Sequence, residues 1–355
     1  MTRSRLWRLT INFYKFNMKL FITGGCGFIG SHFIRYILEN HLEDSVLNFD
    51  KLTYAGNLKN LEDVEKNFSS RYSFVKDDIA DNSKVMAQVA AYKPDAVINF
   101  AAESHVDRSI LDPEAFVRTN IVGVHSLLEA VRKLSIPRFL QVSTDEVYGE
   151  AHEGSFTENT PLAPRSPYAA SKASGDILAL SYFTTFGTPV VITRSANAYG
   201  THQYPEKLIP LLITNLIEGK KIPVYGDGLH TRHWTHVLDH CSGINTSLRK
   251  GEPGHVYNLA SGEDKEYTNL DIARIILSEF GKDDSWIEWG RDRLGHDRRY
   301  RVNASKLASL GWKSRHELQN NIAHLVKWHR ENESWWKPLK SGEHKAYYEK
   351  QYQTA

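Results

Sequence analysis

The chain has 355 residues, of which 41% are hydrophobic and 11% aromatic, enough apolar surface for one or two globular domains with a large core. Its 44 basic and 42 acidic residues leave a net charge of only +2, so the overall charge favours neither nucleic acid nor an anionic membrane surface as a partner. The two cysteines, Cys26 and Cys241, form neither a disulfide framework nor a metal cluster, which fits a reducing cytoplasm.

The sequence contains no run of apolar residues long enough to span a membrane. Its most apolar stretch, residues 208–217, is interrupted by Pro210, Thr214 and Asn215, so we expect a soluble protein. Residues 1–17 are basic but lack the uninterrupted apolar core of a secretory signal. We expect them to be an untargeted extension, or the product of a start site placed too early, rather than a functional address.

Short apolar runs alternate with helical patterns through the first half of the chain. Each run is continuous rather than alternating, as expected for strands that helices cover on both faces. The pattern predicts a doubly wound α/β domain of Rossmann type with a parallel sheet. The predicted strands are 19–22, 46–49, 72–75, 96–100, 139–142 and 190–193, and helices are predicted at 29–39, 114–133 and 168–186.

A glycine-rich segment, TGGCGFIG, follows the first predicted strand and opens a helix. Because Gly24, Gly27 and Gly30 carry no side chains, a pyrophosphate can approach the backbone at the helix N-terminus. Asp50 ends the second strand about 20 residues further on, where a carboxylate binds ribose hydroxyls and repels a 2′-phosphate. The pattern favours NAD over NADP, although Lys51 moderates that preference. The alternative is a packing turn with Asp50 as a strand-end cap.

An acidic turn follows the fifth predicted strand, at the sheet edge where open α/β sheets bind their ligands. Thr144 can donate a hydrogen bond to an oxygen that is being oxidised. Asp145 and Glu146 can act as an acid and a base if their environments separate their pKa values, which suits an elimination. The alternative is a helix-capping turn, where acidic residues are common.

Tyr168 and Lys172 stand four residues apart on a predicted helix, so both side chains project from one face. A nearby ammonium stabilises a phenolate and lowers the pKa of the phenol toward neutral pH, which would make Tyr168 a usable base. Without the glycine segment, an ordinary helix-surface pair would be the favoured explanation of the spacing.

The second half of the chain has a different texture, with Pro, Gly and Tyr-rich turns and helices predicted at 206–218, 269–280 and 316–330. It predicts a smaller α/β lobe that is interleaved with the first, because 256–259 resembles a strand returning to the first sheet. The expected division is an extension at 1–17, a cofactor domain at 18–196 with a return segment at 236–262, and a substrate lobe at 197–235 and 263–355. Aromatic residues of the tail, Trp335, Trp336, Tyr347, Tyr348 and Tyr352, should pack onto the body.

Three nearby histidines, His230, His233 and His236, do not predict a metal site. On an extended segment His233 points away from the other two, and neither a cysteine nor a carboxylate completes a ligand set. We expect no metal.

Taken together, these segments resemble the extended short-chain dehydrogenase/reductase family, and within it the dTDP-glucose 4,6-dehydratases. The resemblance spans nearly the whole chain from Met18. It is carried by the segments TGGCGFIG, DKLTYAGN, AAESHVDRSI, STDEVYG, YAASK and PEKLIP. The chain departs from the family pattern at Ala198, where a second asparagine is usual, and at Leu294, where proline is usual.

The resemblance implies a hydro-lyase that uses NAD in three stages. Tyr168, helped by Thr144 and Lys172, would take the C4 hydroxyl proton as C4 is oxidised. Glu146 would then remove the C5 proton while Asp145 protonates the departing C6 hydroxyl, and the stored hydride would return to C6. The product would be a 4-keto-6-deoxy sugar nucleotide. The resemblance also implies a cytoplasmic homodimer, built from helices such as those at 114 and 168.

The resemblance further implies two sets of binding residues. For NAD they are Gly24, Gly27, Phe28, Ile29, Gly30, Asp50, Lys51, Leu52, Thr53, Asp78, Ile79, Phe100, Ala101, Ala102, Glu103, Ser104, Thr119, Tyr168 and Lys172. For the sugar nucleotide they are Ser104, Thr144, Asn197, Glu206, Lys207, Leu208, Ile209, Pro210, Leu211, Pro223, Val224, Tyr225, Gly226, Arg232, Asn269, Asp292, Arg293 and His296. A guanidinium such as that of Arg232 suits a diphosphate, although an exposed structural ion pair is its alternative role.

Other functions remain open on the sequence alone. The same reaction on UDP-glucose differs by one methyl group of the base, which a pocket discriminates by only about 1–3 kcal/mol. A sugar-nucleotide 4-epimerase or decarboxylase would share Tyr168 and Lys172 but has little use for adjacent Asp145 and Glu146. A non-catalytic NAD-binding protein would not need to keep these reacting residues.

Overall fold

The computed structural model describes residues 17–262, 266–292 and 296–340. Residues 1–16, the tail tyrosines Tyr347, Tyr348 and Tyr352, and the predicted substrate residue Arg293 therefore lie outside the described part of the chain.

The strands are β1 (Lys19–Thr23), β2 (Ser45–Asp50), β3 (Tyr72–Lys76), β4 (Ala96–Asn99), β5 (Phe139–Thr144), β6 (Val190–Ser195), β7 (Asn197–Tyr199), β8 (Ile222–Tyr225), β9 (Thr231–Arg232), β10 (Trp234–His236), β11 (His255–Leu259), β12 (Tyr267–Thr268) and β13 (Ile287–Gly290). The helices are α1 (Phe28–Asn40), α2 (Glu62–Asn67), α3 (Asn82–Tyr92), α4 (Val106–Leu111), α5 (Pro113–Val117), α6 (Val124–Lys133), α7 (Pro167–Phe186), α8 (Leu208–Ile217), α9 (Val237–Lys250), α10 (Asn269–Glu279), α11 (Ser305–Ser309), α12 (Leu318–Glu331) and α13 (Glu333–Trp336). A π-helical turn, Arg118–Gly123, joins α5 to α6.

A seven-stranded parallel sheet in the order β11-β6-β5-β4-β1-β2-β3 forms the centre of the molecule. Strands β4, β5 and β6 are buried along their whole length, which accounts for their continuous apolar sequence. Helices α1 and α9 pack on one face and α3, α6 and α7 on the other, so the sheet separates two apolar cores. The predicted fold class is confirmed.

The strand order reverses between β1 and β4, and this is where the carboxyl ends of parallel strands leave a crevice for a ligand. A buried chain of hydrogen bonds crosses this point. Thr23 Oγ1 donates to Asn99 Oδ1 at 2.6 Å, and Asn99 Nδ2 donates to Gln141 Oε1 at 2.9 Å. These bonds join the ends of β1 and β4 to the middle of β5 beneath the crevice.

A second, smaller apolar core lies in the later part of the chain. It is formed by α8, α10, α12 and the paired strands β8 and β13, with Leu212, Ile276 and Ile322 fully buried. Strand β11 lies instead at the edge of the large sheet, hydrogen-bonded in parallel to β6. The chain therefore leaves the large sheet after β6 and returns to it before it finishes the smaller core.

The aromatic residues at the end of the described chain pack onto the body, as predicted for Trp335 and Trp336. The indole N–H of Trp335 donates to Asn60 Oδ1 at 2.8 Å, and that of Trp336 donates to His329 O at 2.8 Å. Among the described helices, none is long and apolar enough to cross a membrane.

Candidate active site

The glycine segment forms a tight turn between β1 and α1. Gly24 has a φ of +68°, and a Cβ there would stand 2.5 Å from the backbone N of Ala101. A Cβ on Gly30 would stand 2.3 Å from Gly24 O, so both positions require glycine. The N-cap of α1 is Gly27, which offers no side chain to the free N–H groups of the first turn. Those groups and the helix dipole suit a phosphate group.

Asp50 stands at the end of β2 and lines the same crevice. Its Oδ2 accepts from Cys26 N at 2.9 Å and its Oδ1 from Leu52 N at 2.7 Å, so the backbone fixes the carboxylate in place. Burial raises the pKa of Asp50, while these two bonds lower it. Lys51 forms an ion pair with Asp78 at 2.9 Å and so is partly neutralised. These residues fit a dinucleotide with a free ribose 2′-hydroxyl.

The crevice is a cavity of about 310 Å³ that runs from the glycine turn to Tyr168. The expected NAD residues line it, except for Leu52, whose backbone holds Asp50 instead. Those on the wall are Gly24, Gly27, Phe28, Ile29, Gly30, Asp50, Lys51, Thr53, Asp78, Ile79, Phe100, Ala101, Ala102, Glu103, Ser104, Thr119, Tyr168 and Lys172.

The acidic turn forms a single turn of 3₁₀ helix, Asp145–Tyr148, capped by Thr144. Thr144 Oγ1 accepts from Glu146 N at 3.3 Å and donates to Asp145 Oδ1 at 3.3 Å. The turn is therefore a capping turn, as the alternative held, and it also brings Thr144, Asp145 and Glu146 to the cavity wall. Burial, followed by the nearby Glu146, raises the pKa of Asp145 to about 7. A carboxyl with this pKa can serve as a proton donor near neutral pH.

Helix α7 carries Tyr168 and Lys172 onto the opposite wall. Ser166 caps the helix by accepting from Ala169 N at 3.1 Å, and Pro167 occupies its first position, which sets Tyr168 in the first turn. The ammonium of Lys172 donates to Val142 O at 2.7 Å, and burial lowers its pKa to about 8.

Tyr168 differs from the expectation for its pKa. Burial, and then the charge of Glu146, raise the pKa of the phenol, whereas the spacing to Lys172 had predicted a lowered value. The difference arises because Lys172 donates to a backbone carbonyl, while the groups acting most strongly on Tyr168 are the acidic pair and Thr144. Phe116 packs edge-to-face against the phenol ring, with the two ring centres 6.3 Å apart.

A second cavity of about 200 Å³ adjoins the first and extends between the two cores. The cavities share wall residues, including Glu146, Asn197 and Lys207. Lys207 Nζ donates to Ser104 O at 3.1 Å across the boundary. Of the expected sugar-nucleotide residues, the second cavity is lined by Ser104, Asn197, Glu206, Lys207, Leu208, Leu211, Pro223, Tyr225, Arg232, Asn269 and His296, and Thr144 lines the first.

The remaining described residues of that set do not line either cavity. Ile209 and Val224 point into the core of the smaller lobe, and Pro210 is buried beside them. Gly226 lies in the turn after β8, where a Cβ would meet the carboxylate of Asp292 at 3.0 Å. Their assignment to the substrate stays a prediction.

Arg232 is buried rather than part of an exposed ion pair. Its guanidinium donates to Thr231 O at 2.8 Å and to Asp297 O at 3.0 Å, and lies 4.4 Å from the centre of the Tyr300 ring. Tyr300 also lines the second cavity, and its hydroxyl donates to Asp297.

Sequence reasoning missed several wall residues. Tyr54 lines the first cavity and comes directly after Thr53, the last residue of the DKLTYAGN segment that was expected to bind NAD. The guanidinium of Arg108 lies 3.9 Å from the centre of the Tyr54 ring. His105 lies 3.6 Å from Glu206, which reaches it from the smaller lobe. Both missed residues lie within segments already singled out, so reading each segment to its end would have found them. Tyr300 and Gln203 had no such signal.

The three histidines considered for a metal site do not converge. His233 Nε2 pairs with Ser261 Oγ at 2.9 Å, and His236 stacks on His316 at 4.2 Å. A carboxylate does stand beside His230, contrary to expectation: Asp292 lies 3.3 Å from it and 2.7 Å from His296. The rings of His230 and His296 stack at 3.6 Å and 11°, so their lone pairs lie in two separate, nearly parallel planes. One ligand atom each of His230, Asp292 and His296 lies within 4.8 Å of the other two, a group that the sequence analysis missed.

Comparison with known proteins identifies the family of this chain. The model of the GDP-mannose 4,6 dehydratase family matches residues 21–325. The chain belongs to this family. It is 45% identical to a dTDP-glucose 4,6-dehydratase of Streptomyces antibioticus, over 91% of this chain and 96% of that protein.

Solved structures agree with this assignment. DesIV, a dTDP-glucose 4,6-dehydratase from Streptomyces venezuelae crystallised with NAD and TYD bound, is 44% identical with a TM-score of 0.87, covering 91% of this chain and all of that one. The UDP-glucose 4-epimerase of Thermotoga maritima has a TM-score of 0.81 at 26% identity, covering 88% and 99%. The fold is therefore shared with epimerases, and the sequence lies nearer to the dehydratases.

The raised pKa of Asp145 predicts a pH-dependent contribution to stability. The folded protein binds this proton more tightly than the unfolded chain, so the contribution is complete below about pH 4 and is lost as the pH rises through about 7. We expect Asp145→Asn to stabilise the protein relative to wild type more at pH 8 than at pH 5, by on the order of a few kcal/mol. Urea unfolding at both pH values measures this; an equal difference at both would contradict it.

Proposed function

We propose that this protein catalyses the NAD-dependent dehydration of dTDP-glucose to the 4-keto-6-deoxy sugar nucleotide, as a hydro-lyase. The observation that carries the proposal is that the buried Asp145 and the partly exposed Glu146 line the same cavity as Tyr168. An oxidation alone needs the tyrosine and a cofactor. An elimination needs an acid and a base in addition.

The glycine turn, Asp50 and the cavity wall described above would hold NAD. When bound, NAD would supply the hydride acceptor for oxidation at C4 and the hydride donor for reduction at C6. The lack of side chains at Gly24 and Gly30 makes room for the pyrophosphate, and the fixed carboxylate of Asp50 would accept from the adenosine ribose. The ammonium of Lys172 would bind the nicotinamide ribose.

Proton transfers would be divided among three side chains. Tyr168 would accept the C4 hydroxyl proton, while Thr144, next to it, donates to the forming carbonyl oxygen. Oxidation at C4 makes the C5 proton acidic, and Glu146 would remove it. Asp145, with a pKa of about 7, would then protonate the departing C6 hydroxyl so that water leaves.

Two alternatives are weaker. Sugar-nucleotide 4-epimerases share the fold at 26–28% identity, but an epimerase would leave Asp145 and Glu146 without a chemical task. UDP-glucose differs from dTDP-glucose by one methyl group on the base and by the 2′-hydroxyl of the ribose, and the identity to dTDP-glucose dehydratases favours thymidine.

Product analysis in heavy water tests the reaction. Incubation with dTDP-glucose should give a 4-keto-6-deoxy sugar that carries deuterium at C5, because the C5 proton exchanges with solvent during elimination. NMR of the product measures this, with UDP-glucose as the parallel substrate. A galactose epimer, or a pentose from a uronic acid substrate, would refute the dehydratase assignment.

Glu146→Gln should separate oxidation from elimination. On adding substrate, the variant should still form reduced nicotinamide, seen by its near-ultraviolet absorbance, because oxidation precedes removal of the C5 proton. It should release almost no product, with a loss on the order of 10²–10⁴-fold as for a missing general base. Tyr168→Phe is the control and should lose the absorbance change as well. Equal loss of both steps in Glu146→Gln would argue against its role as the C5 base.

We also infer a homodimer. The π-helical turn Arg118–Gly123 packs against α7, and Val122 of the turn and Ile177 of α7 are both exposed. Val117 at the end of α5 and Phe186 at the end of α7 are exposed as well. An apolar face of this kind is typical of a subunit interface. Ile177→Lys should shift the sedimentation coefficient toward that of a monomer, whereas Leu42→Lys, at another exposed apolar site, should not. A monomeric wild type would contradict this proposal.

Cofactor binding and substrate binding are assigned to different parts of the chain in this proposal. We propose that residues 18–196, with 236–262, bind NAD and that 197–235 and 263–355 bind the sugar nucleotide. Hydrogen exchange with each ligand added separately would check the division.

We place the enzyme in the cytoplasm, which fits two buried, unpaired cysteines, and fractionation of native cells would test that location.

A further inference from the structure

A buried carboxylate lies behind the reacting face of α7. Asp176 stands one helical turn after Lys172 and has no exposed surface. It lines neither cavity, so it would touch neither cofactor nor substrate. Burying a carboxylate is costly unless it is paired, so its retention at this position calls for a role.

The partners of Asp176 form a buried network of hydrogen bonds that links α7 to the sheet. Asp176 Oδ2 accepts from Arg194 Nε, on β6, at 2.9 Å. Arg194 Nη1 donates to the Tyr148 hydroxyl at 3.0 Å, and that hydroxyl donates to Asn258 Oδ1 on β11 at 2.8 Å. Burial raises the pKa of Asp176 overall, although Arg194, Lys172 and Ser143 each lower it. The buried ion pair with Arg194, at 2.9 Å, is the geometry that favours the ionised carboxylate, because a guanidinium stays charged and would otherwise be left unpaired.

Lys172 is a buried cation, and burial disfavours its charged form as it does that of Asp176. Its ammonium is buried, and the hydrogen bond that holds it goes to Val142 O, a neutral acceptor that only partly replaces water. Burial lowers the pKa of Lys172 to about 8, and Asp176 is the group that raises it. Without that negative charge, the ammonium would be still less stable at neutral pH.

The other charged and titratable groups around this pair come from three elements. Tyr168 lies on α7 itself, Arg194 on β6, and Tyr148 in the turn after β5. Asp145 and Glu146, from that same turn, act on Tyr168 from the cavity side. Arg194 is therefore the only cation among these groups besides Lys172, and its ion pair with Asp176 leaves the carboxylate shared between two cations.

We propose that Asp176 is a positioning residue that keeps Lys172 in its ammonium form, and that Arg194 in turn keeps Asp176 ionised inside the sheet. This role rests on the proposed function, in which a charged Lys172 stabilises the Tyr168 phenolate and binds the nicotinamide ribose. The arrangement lets a lysine stay charged in a site from which water is excluded, without a carboxylate in the reaction cavity beside the acidic pair.

Direct titration of Lys172 tests the proposal without any need for activity. The protein labelled with ¹³C-lysine is followed by NMR across pH, and Lys172→Arg identifies the signal. In wild type the side chain should stay an ammonium at pH 7, with its midpoint near the pKa of about 8. In Asp176→Asn the midpoint should fall by about one pH unit or more. Asp176→Glu should keep it near the wild-type value.

The matched control is Asp239→Asn, which neutralises another buried carboxylate. Asp239 lies on α9 and accepts hydrogen bonds from Arg315 N and His316 N, both at 2.9 Å. It should leave the Lys172 midpoint unchanged. An unchanged midpoint in Asp176→Asn would overturn the proposal, whatever the effect on activity. If Asp176→Asn does not fold, the wild-type titration still decides, because a midpoint below pH 7 would show that Lys172 is not kept charged.

Kinetics give an independent readout. The rate at which reduced nicotinamide forms in a single turnover is measured across pH. In Asp176→Asn, the alkaline limb of this profile should shift to lower pH by the same amount as the NMR midpoint. KM for the sugar nucleotide should stay unchanged. A uniform loss of rate at all pH values would mean a merely structural role and would overturn the proposal. If wild type does not dehydrate dTDP-glucose, the proposed function fails, while the NMR titration still tests the link between Asp176 and Lys172.

Discussion

The parallel direction of the central strands is the constraint on which the site depends. Because β1, β2, β4, β5 and β6 all end at one edge of the sheet, residues far apart in the chain meet there. The buried hydrogen bonds from Thr23 through Asn99 to Gln141 fix the ends of β1 and β4 relative to the middle of β5. A slip of one strand would break this chain and move the acidic turn away from α7.

Exclusion of water is the second general influence, and it acts on each reacting group in its own direction. Burial raises the pKa of Asp145 and Tyr168 and lowers that of Lys172, since in each case it disfavours the charged form. An apolar surrounding thus makes Asp145 a proton donor near neutral pH. The same surrounding opposes the ammonium, and for this reason the carboxylate of Asp176 behind the site matters.

Much of this could be predicted from local sequence. The continuous apolar strands and the long helices were predictable, and α1 and α7 begin and end within about one residue of the expected positions because their caps and glycines stand in the sequence. The helix expected at 206–218 begins later, at Leu208, because Lys207 N bonds to Tyr204 O in a turn that precedes it. The glycine turn, Asp50 and the acidic pair were found because each has a chemical meaning at a fixed spacing.

What escaped prediction depends on contacts between distant segments. The direction of the Tyr168 pKa shift is set first by burial and then by the charge of Glu146, and the spacing on a helix reveals neither. Ile209 and Val224 face the smaller core because both lie on elements buried on more than one side, where sequence gives no preferred face. Tyr300 enters the second cavity from a segment far along the chain.

The return of β11 to the edge of the large sheet also bears on how such a protein can evolve. A fragment that ended after β6 would expose the backbone N–H and C=O groups of a buried, apolar strand, a surface prone to pairing with other chains. A single recombination event after β6 would exchange β11 together with the later half of the chain, so the incoming β11 would have to pair with the resident β6. The match between these two strands therefore limits which later halves the large sheet can accept.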